Sequence, residues 1–314
     1  MRWNDFSTPH VPFDLEPMLA FCDDRLANPF HLFFERQIGH VWDGDADLIA
    51  LSIGAFSQVL PGLTLARMLK QRRDRARADG EPRGRRHLSL GGNFFSRLRE
   101  VLKESSEFFE AFTDSVVIGE GEIPAVRLAT TLDRAGDRAL GEVPSLVFRG
   151  VNQQIEATDE APPAPMDDLA FLDLNGFPLD RYHAPEPVLS LRASKGCYWG
   201  HCVFCDSHYG LHDDVMKVER FVEELRHVRN RWGVRHFELI DQCIPPDHMV
   251  RLCDAIIAAD LDVHWFCNAR TEPGYTRDVL DRMRQAGATK VMWGVETWVT
   301  SSNDSKSILD TLMG

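Results

Sequence analysis

Within the stretch "SLRASKGCYWGHCVFCDSHYG" (190–210), Cys197, Cys202 and Cys205 are spaced C-x4-C-x2-C, with aromatic residues between them. Thiolates are soft ligands, and three on one loop suit zinc or an iron–sulfur cluster. A structural zinc site takes four N or S ligands, and His201 or His208 completes such a set. An iron–sulfur cube held by only three thiolates leaves one iron open to a substrate or cofactor. A third reading is thiols without a metal. Cys22, Cys243, Cys253 and Cys267 lie on other elements, where a reduced cysteine commonly acts as a small hydrophobe.

A loop of this kind needs a scaffold to aim it. The apolar strand "PVLSLRAS" leads into it, and the helix "VERFVEELRHVRNRWG" follows, closed by Gly233. Strand "HFELID" (236–241), helix "DHMVRLCDAIIAADL", strand "VHWFCNAR" (263–270), helix "TRDVLDRMRQAG" and strand "KVMWGVE" (290–296) continue the rhythm. Four successive βα units predict a parallel barrel-type sheet, whose chemistry gathers where the strands deliver their carboxyl ends. The cysteine loop, Asp241, Asn268 with Arg270, and Glu296 all fall at such ends.

The first half shows a similar alternation. "LIALSIG" (48–54), "HLSLGG" (87–92) and "DSVVIGEGE" (114–122) read as strands ending in glycine. "LPGLTLARMLKQRRDRA" and "FFSRLREVLKESSEFFEAF" read as the helices between them. The pattern is βαβαβ, hence an open parallel, Rossmann-like sheet whose ligand sits beyond the strand carboxyl ends. "ATDEAPPAPMDD" (157–168), rich in Pro and acids, separates the halves. The expected organisation is α/β throughout: a first domain over 1–156, a linker over 157–186 and a second domain over 187–314.

Composition narrows the setting. The 314-residue chain is 44% hydrophobic and carries a formal net charge of −13, which argues against broad binding to nucleic acid or an anionic membrane. The local exception is 67–86, with nine Arg or Lys against three acids. It reads as a solvated helix end running into an exposed loop. No apolar run reaches the ~20 residues of a membrane span. The amino terminus has neither the basic head nor the apolar core of a signal peptide. Cysteines in such a chain are expected to be reduced thiols in a cytoplasm.

With these residues in place, "ASKGCYWGHCVFCD" resembles the cluster loop of the radical S-adenosylmethionine (SAM) superfamily. The commonest spacing there is C-x3-C-x2-C, and this chain has one residue more. The resemblance implies that Cys197, Cys202 and Cys205 ligate a 4Fe–4S cluster whose open iron chelates the amino and carboxylate groups of SAM. It further implies that Phe204 lies near the adenine, that Asp241 meets the SAM amino group and that Arg270 pairs its carboxylate. Glu296, in "WGVET", resembles a fourth-strand motif that contacts the ribose hydroxyls. An electron donor such as flavodoxin or ferredoxin and a small-molecule or peptide substrate come with the same reading.

The first half resembles the cobalamin-binding-type domain fused to many radical SAM enzymes. That places Ser52, Gly54, Gly91, Gly92, Gly119, Glu120 and Gly121 at the cobalamin edge. The D-x-H-x-x-G motif of other cobalamin proteins is absent, and residues 1–45 read as helical and irregular where the family's opening strand is expected. The implied chemistry is radical modification of an unactivated carbon, with methyl transfer favoured when cobalamin binds. Its rivals are a radical SAM enzyme without cobalamin, performing rearrangement, oxidation or thioether formation, and a non-catalytic zinc-binding remnant. Radical SAM cores resemble a partial barrel of six βα units. Four are counted here, so the chain is expected to be truncated and incomplete as a catalyst.

Overall fold

The computed structural model describes residues 14–200 and 213–295, and the chain divides into two units between Pro163 and Ala164. Among the described residues the first unit begins with helices α1 (Leu15–Asp23) and α2 (Pro29–Trp42), ahead of its first strand. Asn28 caps α2 by accepting from Phe30 N, and Pro29 takes the first helical position. Strands β1 (Leu48–Ser52), β2 (His87–Gly91) and β3 (Ser115–Val117) then pair in parallel, in chain order. His87 to Leu90 are all buried, as a central parallel strand requires.

Helix α3 (Val59–Ala78) links β1 to β2, and α7 (Glu122–Ala135) follows β3. The single helix expected between β2 and β3 is three short ones, α4 (Asn93–Ser96), α5 (Arg99–Lys103) and α6 (Ser106–Ala111). Serines divide it. Ser96 Oγ accepts from Gly119 N at 3.0 Å, and Ser105 is non-helical while its Oγ bonds Val101 O at 2.7 Å. Serine hydroxyls offer the backbone an alternative to the helical ladder. Strands β4 (Leu146–Arg149) and β5 (Ile155–Ala157) extend the parallel core as an antiparallel pair that the sequence pattern did not announce.

The basic run 67–86 is largely engaged within this unit. Arg67 pairs with Asp23 at 2.9 Å, and Lys70 and Arg73 both pair with Asp114. Arg72 and Arg86 lie over the Trp42 ring at 5.7 and 5.0 Å. Arg73 is 2% exposed, so the run is in part a buried support rather than a wholly solvated face.

In the second unit β6 (Val188–Leu191) leads into β7 (Ser194–Lys195), which pairs antiparallel with β8 (Asp214–Val215). Helix α8 (Val218–Trp232), β9 (His236–Leu239), α9 (Pro246–Ala258), β10 (His264–Arg270), α10 (Arg277–Gln285) and β11 (Ala288–Gly294) follow. The four long strands are parallel, in the order β11-β10-β9-β6. Phe221, Val222, Leu225 and Val228 recur at helical spacing on α8 and bury that face. They share one core with Phe237, Leu239 and Trp265 from the strands and with Met249, Leu252 and Ile256 from α9. Residues 164–181 are tied to this unit: Arg220 donates to Leu169 O at 2.6 Å, and Leu172 N donates to Glu224 at 2.8 Å.

Candidate functional site

The cysteine loop leaves from the carboxyl end of the sheet, and the β7–β8 pair closes its base, with Ser194 opposite Val215 and Lys195 opposite Asp214. Gly196 has φ +75°, and a Cβ there would lie 2.9 Å from Asp213 Cα. Only glycine lets the chain turn so closely past its own return. Lys195 Nζ donates to Ala164 O at 2.8 Å, and Asp214 accepts from Met166 N at 2.8 Å. The loop therefore starts and ends at a fixed place. Cys202, Cys205, Phe204 and Glu296 lie outside the described residues, as do His201 and His208.

Asp241, just past β9, is fully buried. Its Oδ1 accepts from Ser194 Oγ at 2.7 Å and from Ser194 N, which secures the loop's base to the sheet. Its Oδ2 has no partner among the described residues, and the same holds for Gln242 Oε1 beside it. Burial raises the Asp241 carboxyl above the usual carboxylate range, and the Ser194 bonds only partly oppose that. Two buried acceptor atoms without donors suit a ligand that brings an ammonium or N–H group.

Arg270, the last residue of β10, is part-buried. Its Nη1 lies 3.3 Å from Glu272 Oε2, and its guanidinium stacks on the Trp199 ring at 3.6 Å. Tyr198 donates to the other Glu272 oxygen. Burial raises the Tyr198 phenol, as do its hydrogen bonds to Cys243 and Glu272. Tyr198, Trp199 and Glu272 are site-forming residues that the sequence reading missed. The signal available was the aromatic pair between the first two cysteines.

The cysteines separate by environment. Cys197 is half-buried at the loop. Burial pushes Cys22 and Cys243 up to about 11 and Cys253 and Cys267 up to about 12, so these four stay protonated at neutral pH. Among the described residues no group of three or more His, Cys, Asp or Glu is placed to hold a metal ion, and Cys197 is the one loop cysteine that falls within them.

In the first unit the sequence-chosen glycines divide in the same way. Gly92 serves packing, since a Cβ there would meet the Ile53 backbone at 2.5 Å. Gly54 N is taken by Gln58 Oε1 at 2.9 Å, and Ser52 is exposed at the end of β1. A Cβ on Gly91 would make only ordinary contact with Val117, and at Gly119 and Gly121 it would meet open space. Glu120 between them is half-buried. At the same strand ends Phe56 is 58% exposed and packs edge-to-face on Phe94, 6.3 Å between centroids. One exposed and one half-buried aromatic ring, linked through α4 to open glycine backbone, suit the face of a broad, flat ring such as the corrin of cobalamin. Phe56 and Phe94 were not singled out from the sequence.

No family profile matches the chain. Among curated proteins, it is 26% identical over 193 residues to an uncharacterized methyltransferase of Pyrococcus horikoshii, covering 59% of this chain and 40% of that one. It is 33% identical over 137 residues to the hopanoid C-3 methylase of Methylococcus capsulatus, covering 41% of this chain and 24% of that one. Among solved structures, it superposes on OxsB, a cobalamin-dependent SAM radical enzyme, with a TM-score of 0.64 at 17% identity. The form of OxsB with aqua-cobalamin and SAM bound gives 0.63, again at 17% identity. Both superpositions cover 89% of this chain and 40% of OxsB. The chain thus spans well under half the length of these relatives. Across most of its own length it has the fold of a cobalamin-dependent radical SAM enzyme.

Proposed function

We propose that the second unit binds a 4Fe–4S cluster through Cys197, Cys202 and Cys205, with SAM beside it, for radical modification of an unactivated carbon. The reaction is methyl transfer when the first unit holds cobalamin, a reading supported by relatives named as a methyltransferase and a methylase. The observation that carries the proposal is the paired base of the cysteine loop at the carboxyl end of the sheet, next to strand ends that present Arg270 and two buried acceptors without a partner among the described residues. When bound, the reduced cluster supplies the electron that frees the 5′-deoxyadenosyl group of SAM as a radical.

The chain's own residues bind and orient. Cys197, Cys202 and Cys205 would hold the cluster as thiolates. The planar fork of Arg270 suits the SAM carboxylate, while Asp241 Oδ2 and Gln242 Oε1 accept from its amino group. Phe204 and Glu296 are assigned to the adenine and the ribose on the family resemblance. In the first unit Phe56 and Phe94 offer apolar surface to the corrin ring, and the backbone at Gly119 and Gly121 gives it clearance. The setting is a reducing cytoplasm, with a flavodoxin- or ferredoxin-type donor and a small-molecule or peptide substrate.

Anaerobic reconstitution with ferrous iron and sulfide tests this. A brown protein with about four irons per chain that binds SAM is expected. A colourless protein holding about one zinc per chain overturns it. Corrinoid absorbance that stays with the protein through gel filtration separates the cobalamin-dependent chemistry from the same enzyme without cobalamin.

A further inference from the structure

The first part of the cysteine loop is held by Arg270 together with Glu272, a residue to which no role has been given. In the sheet β6, β9 and β10 lie side by side, so the loop must cross two strand spacings, about 10 Å, to reach the end of β10. It does so through Tyr198 and Trp199. The Tyr198 hydroxyl donates to Glu272 Oε1, two residues beyond the end of β10. Glu272 Oε2 lies 3.3 Å from Arg270 Nη1, and Arg270 covers the face of Trp199 at 3.6 Å. Two adjacent loop residues thus grip two strand-end residues, and the contacts close into a ring. The Glu272 side chain is 16% exposed, so this pairing is partly sheltered from solvent.

We propose that Glu272 is the positioning residue of the cysteine loop: it clasps Tyr198 and Arg270 together, fixes the course of the chain after Cys197 before any metal binds, and sets Arg270 over Trp199. The C-x4-C spacing leaves room for both anchoring aromatics. The clasp belongs to the metal-free chain, and only its effect on cluster retention rests on the proposed function.

Hydrogen exchange on the metal-free full chain tests the clasp, read on peptides covering 195–200. Glu272→Ala is expected to speed exchange there by about tenfold, the effect of losing one charge-assisted hydrogen bond. Tyr198→Phe should act in the same direction. Glu272→Gln, which keeps an oxygen for the Tyr198 hydroxyl but loses the charge that faces Arg270, should restore part of the protection. After reconstitution, iron loss to a chelator should be about tenfold faster in Glu272→Ala and intermediate in Glu272→Gln. Unchanged exchange at 195–200 in Glu272→Ala overturns the clasp. So does faster exchange spread evenly through β9 and β10, because Glu272 then supports the fold rather than the loop. Loop release without faster iron loss overturns the positioning role. A parent chain that takes no iron overturns the proposed function instead, and the exchange data still decide the clasp.

Discussion

Asp114, at the amino end of β3 in the first unit, and Asp241, past the carboxyl end of β9 in the second, are both carboxylates set into the protein, and they are treated oppositely. Asp114 accepts from Lys70 Nζ and Leu88 N at 2.8 Å each, and also from Arg73. Burial alone would raise its carboxyl, but the Lys70 and Arg73 charges outweigh burial and hold it at about 2. Asp241 has no cation facing it among the described residues. Ser194 engages one oxygen, the other has no partner among the described residues, and burial raises the carboxyl. A buried charge matched from all sides is a structural support, whereas one with an unspent oxygen at a strand's carboxyl end is a place for a ligand.

The largest expected effect is on the structural side. Asp114→Asn leaves Arg73, at 2% exposure, without its main counter-charge. Breaking a buried pair in this way costs about 3 kcal/mol or more, measurable by urea unfolding. The sign with pH follows from the lowered carboxyl. The unfolded carboxyl binds protons near 3.8 and the folded one only near 2. The stabilisation is therefore complete above about pH 4 and is lost as pH falls toward about 2. Acid unfolding of the first unit that is unaltered by Asp114→Asn would deny Asp114 this role.

Asp241→Asn should do the reverse. Its raised carboxyl favours the fold when protonated, a contribution lost as pH rises through the raised value. A neutral amide that still accepts from Ser194 should therefore leave stability at pH 7 unchanged or slightly higher. SAM affinity should fall about tenfold, the effect of one charged hydrogen bond. Marked destabilisation at pH 7 with unchanged SAM binding would make Asp241 a support like Asp114. The smallest expected effect on the fold is at Phe56, whose ring is 58% exposed. Phe56→Ser should change stability by less than about 0.5 kcal/mol while weakening corrinoid retention several-fold, read by absorbance. Equal retention would remove Phe56 from the ligand edge.

The contrast between the two carboxylates was only half legible in the sequence. Long periodic elements were readable because their signal is local: α8 closes at Gly233 as its pattern indicates, and β9, β10 and β11 lie where apolar runs begin. The β4–β5 pair was not, since strands of four and three residues joined by "GVNQQ" carry too little alternation and no standard hairpin turn dipeptide. Asp241 and Arg270 were marked by position at strand ends. Glu272, Tyr198 and Trp199 form a site only because the sheet brings 198–199 to 270–272, a separation of more than seventy residues that no local pattern encodes. The basic run 67–86 suggested a solvated face, but the counter-charge that buries part of it, Asp114, lies far along the chain.

In the proposed site the loop thiols act as one metal-binding unit and the buried thiols do not. Iron per chain after anaerobic reconstitution, compared between Cys197→Ala, Cys202→Ala or Cys205→Ala and Cys253→Ala, tests it most directly. About four irons are expected for the parent chain and for Cys253→Ala, with the cluster lost in each of the three loop variants. A loop variant that keeps its full iron, or a Cys253→Ala chain that loses it, would overturn the assignment of the loop thiols.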